Sequence, residues 1–122
     1  MIDYTDERDQ LRRLCDAYPT VARELQAVVR AGRIHGGTYW YAMSKCGCLC
    51  GWTAWLIGAE YVVGYVYDRA INISNTLSTE RLESLILEIK PGDTPATSPA
   101  LALVDTWLTE WLAEHEPAEV PA

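Results

Sequence analysis

Apolar side chains return every three or four residues in several separate stretches of this chain, a period that predicts helices packed by one face. Leu11, Leu14, Cys15 and Tyr18 fall at i, i+3, i+4 and i+7. Thr5 stands ahead of them as a cap, and Asp6, Glu7 and Asp9 occupy the first turns, where carboxylates meet the positive end of the helix dipole. Pro19 should end this helix and open a second. There Val21, Leu25, Val28 and Val29 form the buried face, Arg30 and Arg33 sit at the negative end, and Gly32 supplies a left-handed cap. Two helices joined so tightly are expected to pack antiparallel.

The last third is as regular. Leu82, Leu85, Ile86 and Ile89 repeat the pattern behind Ser78 or Thr79 as cap, and Pro91-Gly92-Asp93-Thr94-Pro95 then forms a turn of the Asx type. Ser98 caps a final helix with Pro99 at its first position and a wide stripe of Leu101, Val104, Leu108, Trp111 and Leu112. Trp107 and Trp111, four apart, stack along one side of it. Pro117 and Pro121 mark 117–122 as a frayed tail to a single helical domain of residues 1–116.

The middle of the chain departs from this regularity. His35-Gly36-Gly37 is a turn signal, and Thr38 to Tyr41 has the β-branched and aromatic content of a short extended segment. Leu49 to Ala59 is apolar enough on all sides for a buried helix, with Gly51 and Gly58 allowing close backbone approach. Tyr61 to Tyr67 suits a strand by its valines but continues the helix by period, and is read as helix. Asn72 to Ser78 is polar and turn-like. The expected fold is mainly α, a compact single-domain bundle of five or six helices with a short extended segment near Tyr39.

Composition narrows the function classes. A chain of 122 residues has room for one substantial core, and 49% hydrophobic with 22% charged residues is globular in balance. The net charge of −7 argues against a nucleic-acid phosphate surface, which needs clustered Lys and Arg. The acidic N-terminal residues lack an apolar signal segment, so cytoplasmic placement and reduced thiols are expected. From Cys46 to Tyr67 run 22 residues whose one charged side chain is Glu60, long enough to cross a bilayer. Glu60 lies well inside that stretch and the aromatic residues do not form two end belts, so buried core elements are the better reading and no membrane is expected.

That same region holds the candidate chemistry: Cys46, Cys48 and Cys50, with Trp52 and Trp55 close behind. Thiols at alternate positions suit zinc poorly, because structural sites take pairs spaced by two to four residues. A fourth ligand would have to be Cys15, His35 or His115. Cys46 or Cys48 near a helix start could be a nucleophile with His35 as base. Packing of small, soft thiols against tryptophan and neighbouring helices is the simplest reading. No cofactor and no metal site are expected, and the chain leans away from an enzyme.

Tyr39, Trp40 and Tyr41 are the best contact surface, since three consecutive aromatics cannot all enter one core. His35 leads into them, and Lys45 and Arg69 flank them with positive charge. Two tryptophans on the last helix and surplus apolar faces further suggest a homo-oligomer.

Gly37-Thr38-Tyr39, Cys46-Gly47-Cys48-Leu49-Cys50-Gly51, Ile89-Lys90-Pro91-Gly92-Asp93-Thr94-Pro95, and then Trp107, Glu110 and Leu112 follow one another in a familiar order. The order resembles a group of small uncharacterised bacteriophage and prophage proteins with G-x-Y, C-x-C-L-x-G-T and P-G-D-T-P motifs and a W-x-x-E-x-L helix. Cys50 stands where that pattern has an apolar residue, and Trp52 where it has Thr. The resemblance implies a phage accessory protein. With small size and excess Tyr and Trp, it gives a non-enzymatic binding protein of counter-defence type, which occupies a host protein or sequesters a small nucleotide-like ligand. For a nucleotide, Arg30, Arg33, Lys45 and Arg69 are the cations available.

Overall fold

The computed structural model describes residues 3–36, 40–41, 46–57 and 63–115; of residues 40, 41, 46, 63–65, 67 and 68 it describes the backbone. Among these lie six α-helices: α1 (Thr5–Ala17), α2 (Ala22–Arg30), α3 (Leu49–Leu56), α4 (Val63–Leu77), α5 (Glu80–Ile86) and α6 (Pro99–His115). A 3-10 turn over Pro19–Val21 joins α1 to α2. Two short strands, β1 (Trp40–Tyr41) and β2 (Cys46–Gly47), pair antiparallel with Trp40 opposite Gly47 and Tyr41 opposite Cys46. The mainly helical bundle and the extended segment near Tyr39 are therefore as the sequence pattern implies. The tail 117–122 lies outside the described residues.

The apolar stripes converge on one core. Leu11, Leu14 and Cys15 of α1, Val29 and Leu25 of α2, Leu49 and Cys50 of α3, Leu82 and Ile86 of α5, and Leu101, Val104 and Leu108 of α6 are all buried in it. α6 is the centre of one half, with α1 and α2 both laid against it, while α3 packs chiefly on α4 and α1 also contacts α5. The expected antiparallel α1–α2 pair is thus replaced by two helices sharing α6. The physical reason is the breadth of the α6 stripe, where Ala100, Leu101, Val104, Trp107, Leu108 and Trp111 are all buried and offer apolar surface to two partners.

Polar contacts fix the same arrangement from outside. Arg12 makes a two-pronged pair with Glu114, at 2.6 and 3.1 Å, tying α1 to α6. Arg30 at 2.8 Å and Gln26 at 3.2 Å hold Asp105, tying α2 to α6. Trp111 donates its indole N–H to Asp16 at 2.9 Å and stacks on His115 with 4.1 Å between ring centroids. Trp107 and Trp111 are 6% and 3% exposed. They serve the core of this chain and are not available for the symmetric interface that their spacing suggests.

Helix ends show where local signals were outcompeted. Thr5 is the first helical residue of α1, and the Asp3 carboxylate, not Thr5, accepts the Thr5 backbone N–H at 2.9 Å. Asn72 to Ser78, expected as a turn, is the C-terminal half of α4 as far as Leu77. Val66, Ala70, Ile73 and Leu77 recur there at i, i+4, i+7 and i+11, and intervening Asn and Ser residues hide this period. Ser78 takes a left-handed φ of 55° at the end, and the Arg13 guanidinium caps the Leu77 carbonyl from α1. Thr79 sits at the N-cap of α5 but turns its hydroxyl inward, while Gln10 of α1 accepts the Leu82 N–H at 2.8 Å in its place.

Ser98 behaves as expected. Its hydroxyl accepts the Leu101 N–H at 3.2 Å in a buried setting. Ser98→Ala should lower stability by about 1 kcal/mol, seen as a lower urea midpoint at unchanged denaturant slope. The Asx turn before it is also present, with the Asp93 carboxylate accepting the Lys90 N–H at 3.0 Å.

Candidate functional site

Gly47 is the node that places the central motif. Its N–H donates to the Arg33 carbonyl at 3.2 Å and its carbonyl accepts the His35 N–H at 3.0 Å, so Ile34 and β2 run side by side. Trp52 of α3 donates its indole N–H to the same Arg33 carbonyl at 3.0 Å. Gly36 then donates to the Ile89 carbonyl at 3.2 Å. The strand, the start of α3 and the end of α5 are therefore clamped around residues 33–36, and the β1–β2 hairpin grows from this clamp.

Immediately after β2, Cys48 occupies the N-cap of α3, with its sulfur accepting the Gly51 N–H at 3.4 Å. Cys50, two residues on, lies 3.7 Å from the Thr79 hydroxyl, and Thr79 is 2.9 Å from Ser74. The two thiols and the carboxyl of Glu83 on α5 are near enough to shift one another's ionisation. Glu83 is half-buried along its stem, but its Oε1 is sealed from solvent without a hydrogen-bond partner. This cluster joins α3, α4 and α5 through polar atoms in an otherwise apolar interior.

Its electrostatics oppose nucleophilic chemistry at neutral pH. Burial pushes the Cys48 thiol well above its ordinary range, and the Cys50 hydrogen bond and the Glu83 charge add to the effect. Burial pushes the Glu83 carboxyl up too, with the Cys50 and Cys48 thiols pulling the other way. The Cys15 thiol, buried in α1, is pushed up to about 12. No three His, Cys, Asp or Glu side chains converge to hold a metal ion among the described residues. Cys46 has a described backbone only, so nothing here bears on its thiol.

Sequence reasoning did not find Glu83. A signal existed: Thr79, Glu83 and Ile86 are spaced i, i+4 and i+7, along one edge of the α5 stripe. A glutamate in an exposed-looking register is normally assigned to water, and only the C-x-C thiols opposite it reveal the burial.

The expected contact residues are placed as follows. His35 is 3% exposed, with its Nδ1 2.8 Å from the Gly36 carbonyl, so it belongs to the frame beneath the hairpin and not to an open surface. Trp40 and Tyr41 form β1. Tyr39 and Lys45 lie outside the described residues. Arg69 is exposed on α4. A further residue joins this region: Leu87, just past α5, is 64% exposed, a large apolar side chain left in water. Its backbone abuts Gly36, where an added Cβ would lie 2.3 Å from the Leu87 Cα. The exposed leucine thus follows a backbone contact with Gly36, next to the His35 whose N–H bonds Gly47 of β2.

A concavity of about 260 Å³ lies beside the start of α6 and is lined by Glu88, Lys90, Asp93, Thr97 and Ser98. Two carboxylates face one ammonium there, a balance unfavourable to phosphate. No helix among the described residues is long and apolar enough to cross a membrane. The chain matches no family model, and no match is found among curated proteins or solved structures.

Proposed function

We propose that this is a non-enzymatic binding protein of phage or prophage type, which occupies a host protein through the aromatic segment 39–41 and the neighbouring Leu87. The observation that carries the reading is the close approach of Gly36 to the backbone of Leu87, which ties an exposed apolar residue to the segment leading into Tyr39, Trp40 and Tyr41. The hairpin base is held by backbone bonds to Arg33, His35 and Ile89, so little ordering entropy is lost there on binding. A protein target is favoured over a nucleotide because Arg30, one of the few candidate phosphate ligands, is committed to Asp105 at 2.8 Å.

The test is capture of a target from host lysate, its identification, and reconstitution of the pair from purified components. Leu87→Ser and Tyr41→Ala should each weaken the reconstituted complex by tenfold or more, since interface anchors are worth roughly 1.4 kcal/mol and upward. Leu87→Ser should leave the melting temperature unchanged. Wild-type affinity in both variants would sink the proposal, as would a large thermal shift with a cyclic nucleotide or an ADP-ribose derivative that Arg69→Ala abolishes.

A further inference from the structure

The exposed Leu87 is followed in the chain by Glu88, which lines the concavity of about 260 Å³ at the start of α6. An apolar side chain in water and the lip of a polar hollow are therefore about 3.8 Å apart along the backbone. Glu88 is exposed and makes no ion pair among the described residues. Asp93, the second carboxylate of the lining, is held still, because its Oδ2 accepts the Lys90 N–H at 3.0 Å and its Oδ1 the Thr97 hydroxyl at 3.1 Å. No cation pairs with it among the described residues. Asp105 and Glu114 of α6 differ in being tied to Arg30 and Arg12. Unmatched negative charge is thus brought to the hollow beside Leu87.

The geometry points to this surface as the docking site of an arginine-bearing segment of a partner protein, the guanidinium entering the concavity between Glu88 and Asp93 and an adjoining apolar side chain covering Leu87. The inference rests on the binding-protein reading above and adds the chemistry of the partner. Charge complementarity carries it. Two carboxylates outnumber the one ammonium of the lining, and Lys90 is exposed on a flexible stem that can turn its charge to water. The start of α6 offers an anion little in compensation: Pro99 has no N–H, and the Leu101 and Ala102 N–H groups are taken by the Ser98 hydroxyl and carbonyl. Each Asp93 oxygen keeps a lone pair beyond the bonds it already accepts, which suits the planar fork of a guanidinium. The net charge of −7 steers a basic partner toward the chain at low salt.

The probe is an acetylated, amidated leucine–arginine–leucine peptide titrated into the full-length chain, with a leucine–glutamate–leucine peptide as control, read from backbone amide chemical shifts. Saturable shifts are expected at Leu87, Glu88 and Thr97 with the arginine peptide alone, and they should fade as salt screens the pair. Glu88→Gln should weaken the arginine peptide by about fivefold and Lys90→Ala should tighten it by about twofold, the scale of a partly exposed charge pair. Absence of these shifts, equal shifts with the glutamate peptide, or affinity unchanged by Glu88→Gln would each overturn the inference. Equally tight binding of free spermidine that Leu87→Ser leaves untouched would overturn it too, by marking a small-cation site. In the complex reconstituted with a captured target, Leu87→Ser and Glu88→Gln should both weaken binding. Weakening by Leu87→Ser alone keeps the binding-protein reading and removes the arginine. A complex indifferent to Leu87→Ser and Tyr41→Ala, beside a peptide footprint that Glu88→Gln weakens, removes the hairpin reading and upholds the arginine site.

Discussion

Gly36→Ala should be the most damaging single-methyl change in this protein. A Cβ at that position would lie 2.3 Å from the Leu87 Cα, 2.6 Å from the Ile86 carbonyl oxygen and 2.9 Å from the Leu87 nitrogen. All three are backbone atoms, so no side-chain rotamer change relieves the clash. The clamp must open instead, at the expense of the Gly36 N–H bond to Ile89. We expect a loss of about 3 kcal/mol, the upper part of the usual range for overpacking, and a melting temperature lower by roughly 10 °C. Gly92→Ala is the informative control. Its Cβ would meet nothing within 4 Å, but its φ of 88° is left-handed, so the cost should be only about 1–2 kcal/mol. Equal effects at the two sites in thermal or urea unfolding would show that residues 33–36 do not form a tight joint.

The second large effect is at Glu83, and its sign depends on pH. Burial raises the carboxyl above its ordinary value of 4.5 in the folded chain. The unfolded state therefore ionises first, and the stabilising contribution of the protonated acid is fully present below pH 4.5 and lost as pH rises through the folded value. Above that value the folded chain holds a buried carboxylate with one unpartnered oxygen. Glu83→Gln removes the ionisation while keeping the shape. The variant should match the wild type near pH 4.5 and exceed it at pH 8 by about 1–3 kcal/mol, the cost of a buried polar group left unpaired. The difference between the two proteins isolates Glu83 from Asp3 and Glu114. Those are depressed by their bonds to Thr5 and Arg12 and act oppositely, losing their contribution as pH falls. A stability difference that does not change between pH 4.5 and 8 would refute the buried-acid assignment.

The two sites show how far linear patterns reach. Helices α1, α2, α5 and α6 are legible because each has a one-sided apolar stripe and at least one end marked by a cap or breaker, such as Gly32 or Ser98. The second half of α4 is not, since Asn72, Ser74 and Asn75 carry turn propensity that burial of Ile73 overrides. His35 illustrates the limit for function. Next to two glycines it looks like a loop histidine, but the two hydrogen bonds of Gly47 pull that strand of chain under the hairpin. Cys48 and Cys50 are interior, in line with the packing reading, while Glu83 near them was invisible because it is 33 positions away from Cys50.

Period, caps and breakers by themselves determined the helical class, most helix positions and the extended segment around Trp40. These are consequences of local geometry, in which a residue's face follows from its spacing to neighbours a few positions away. Tertiary structure alone decided that α1 and α2 share α6, that Trp107 and Trp111 face inward, that Glu83 is buried near Cys48 and Cys50, and that the Leu87 backbone abuts Gly36. Each of those depends on which surfaces meet across dozens of residues, and the free energy that selects among such meetings comes from burial and polar satisfaction of the whole core at once.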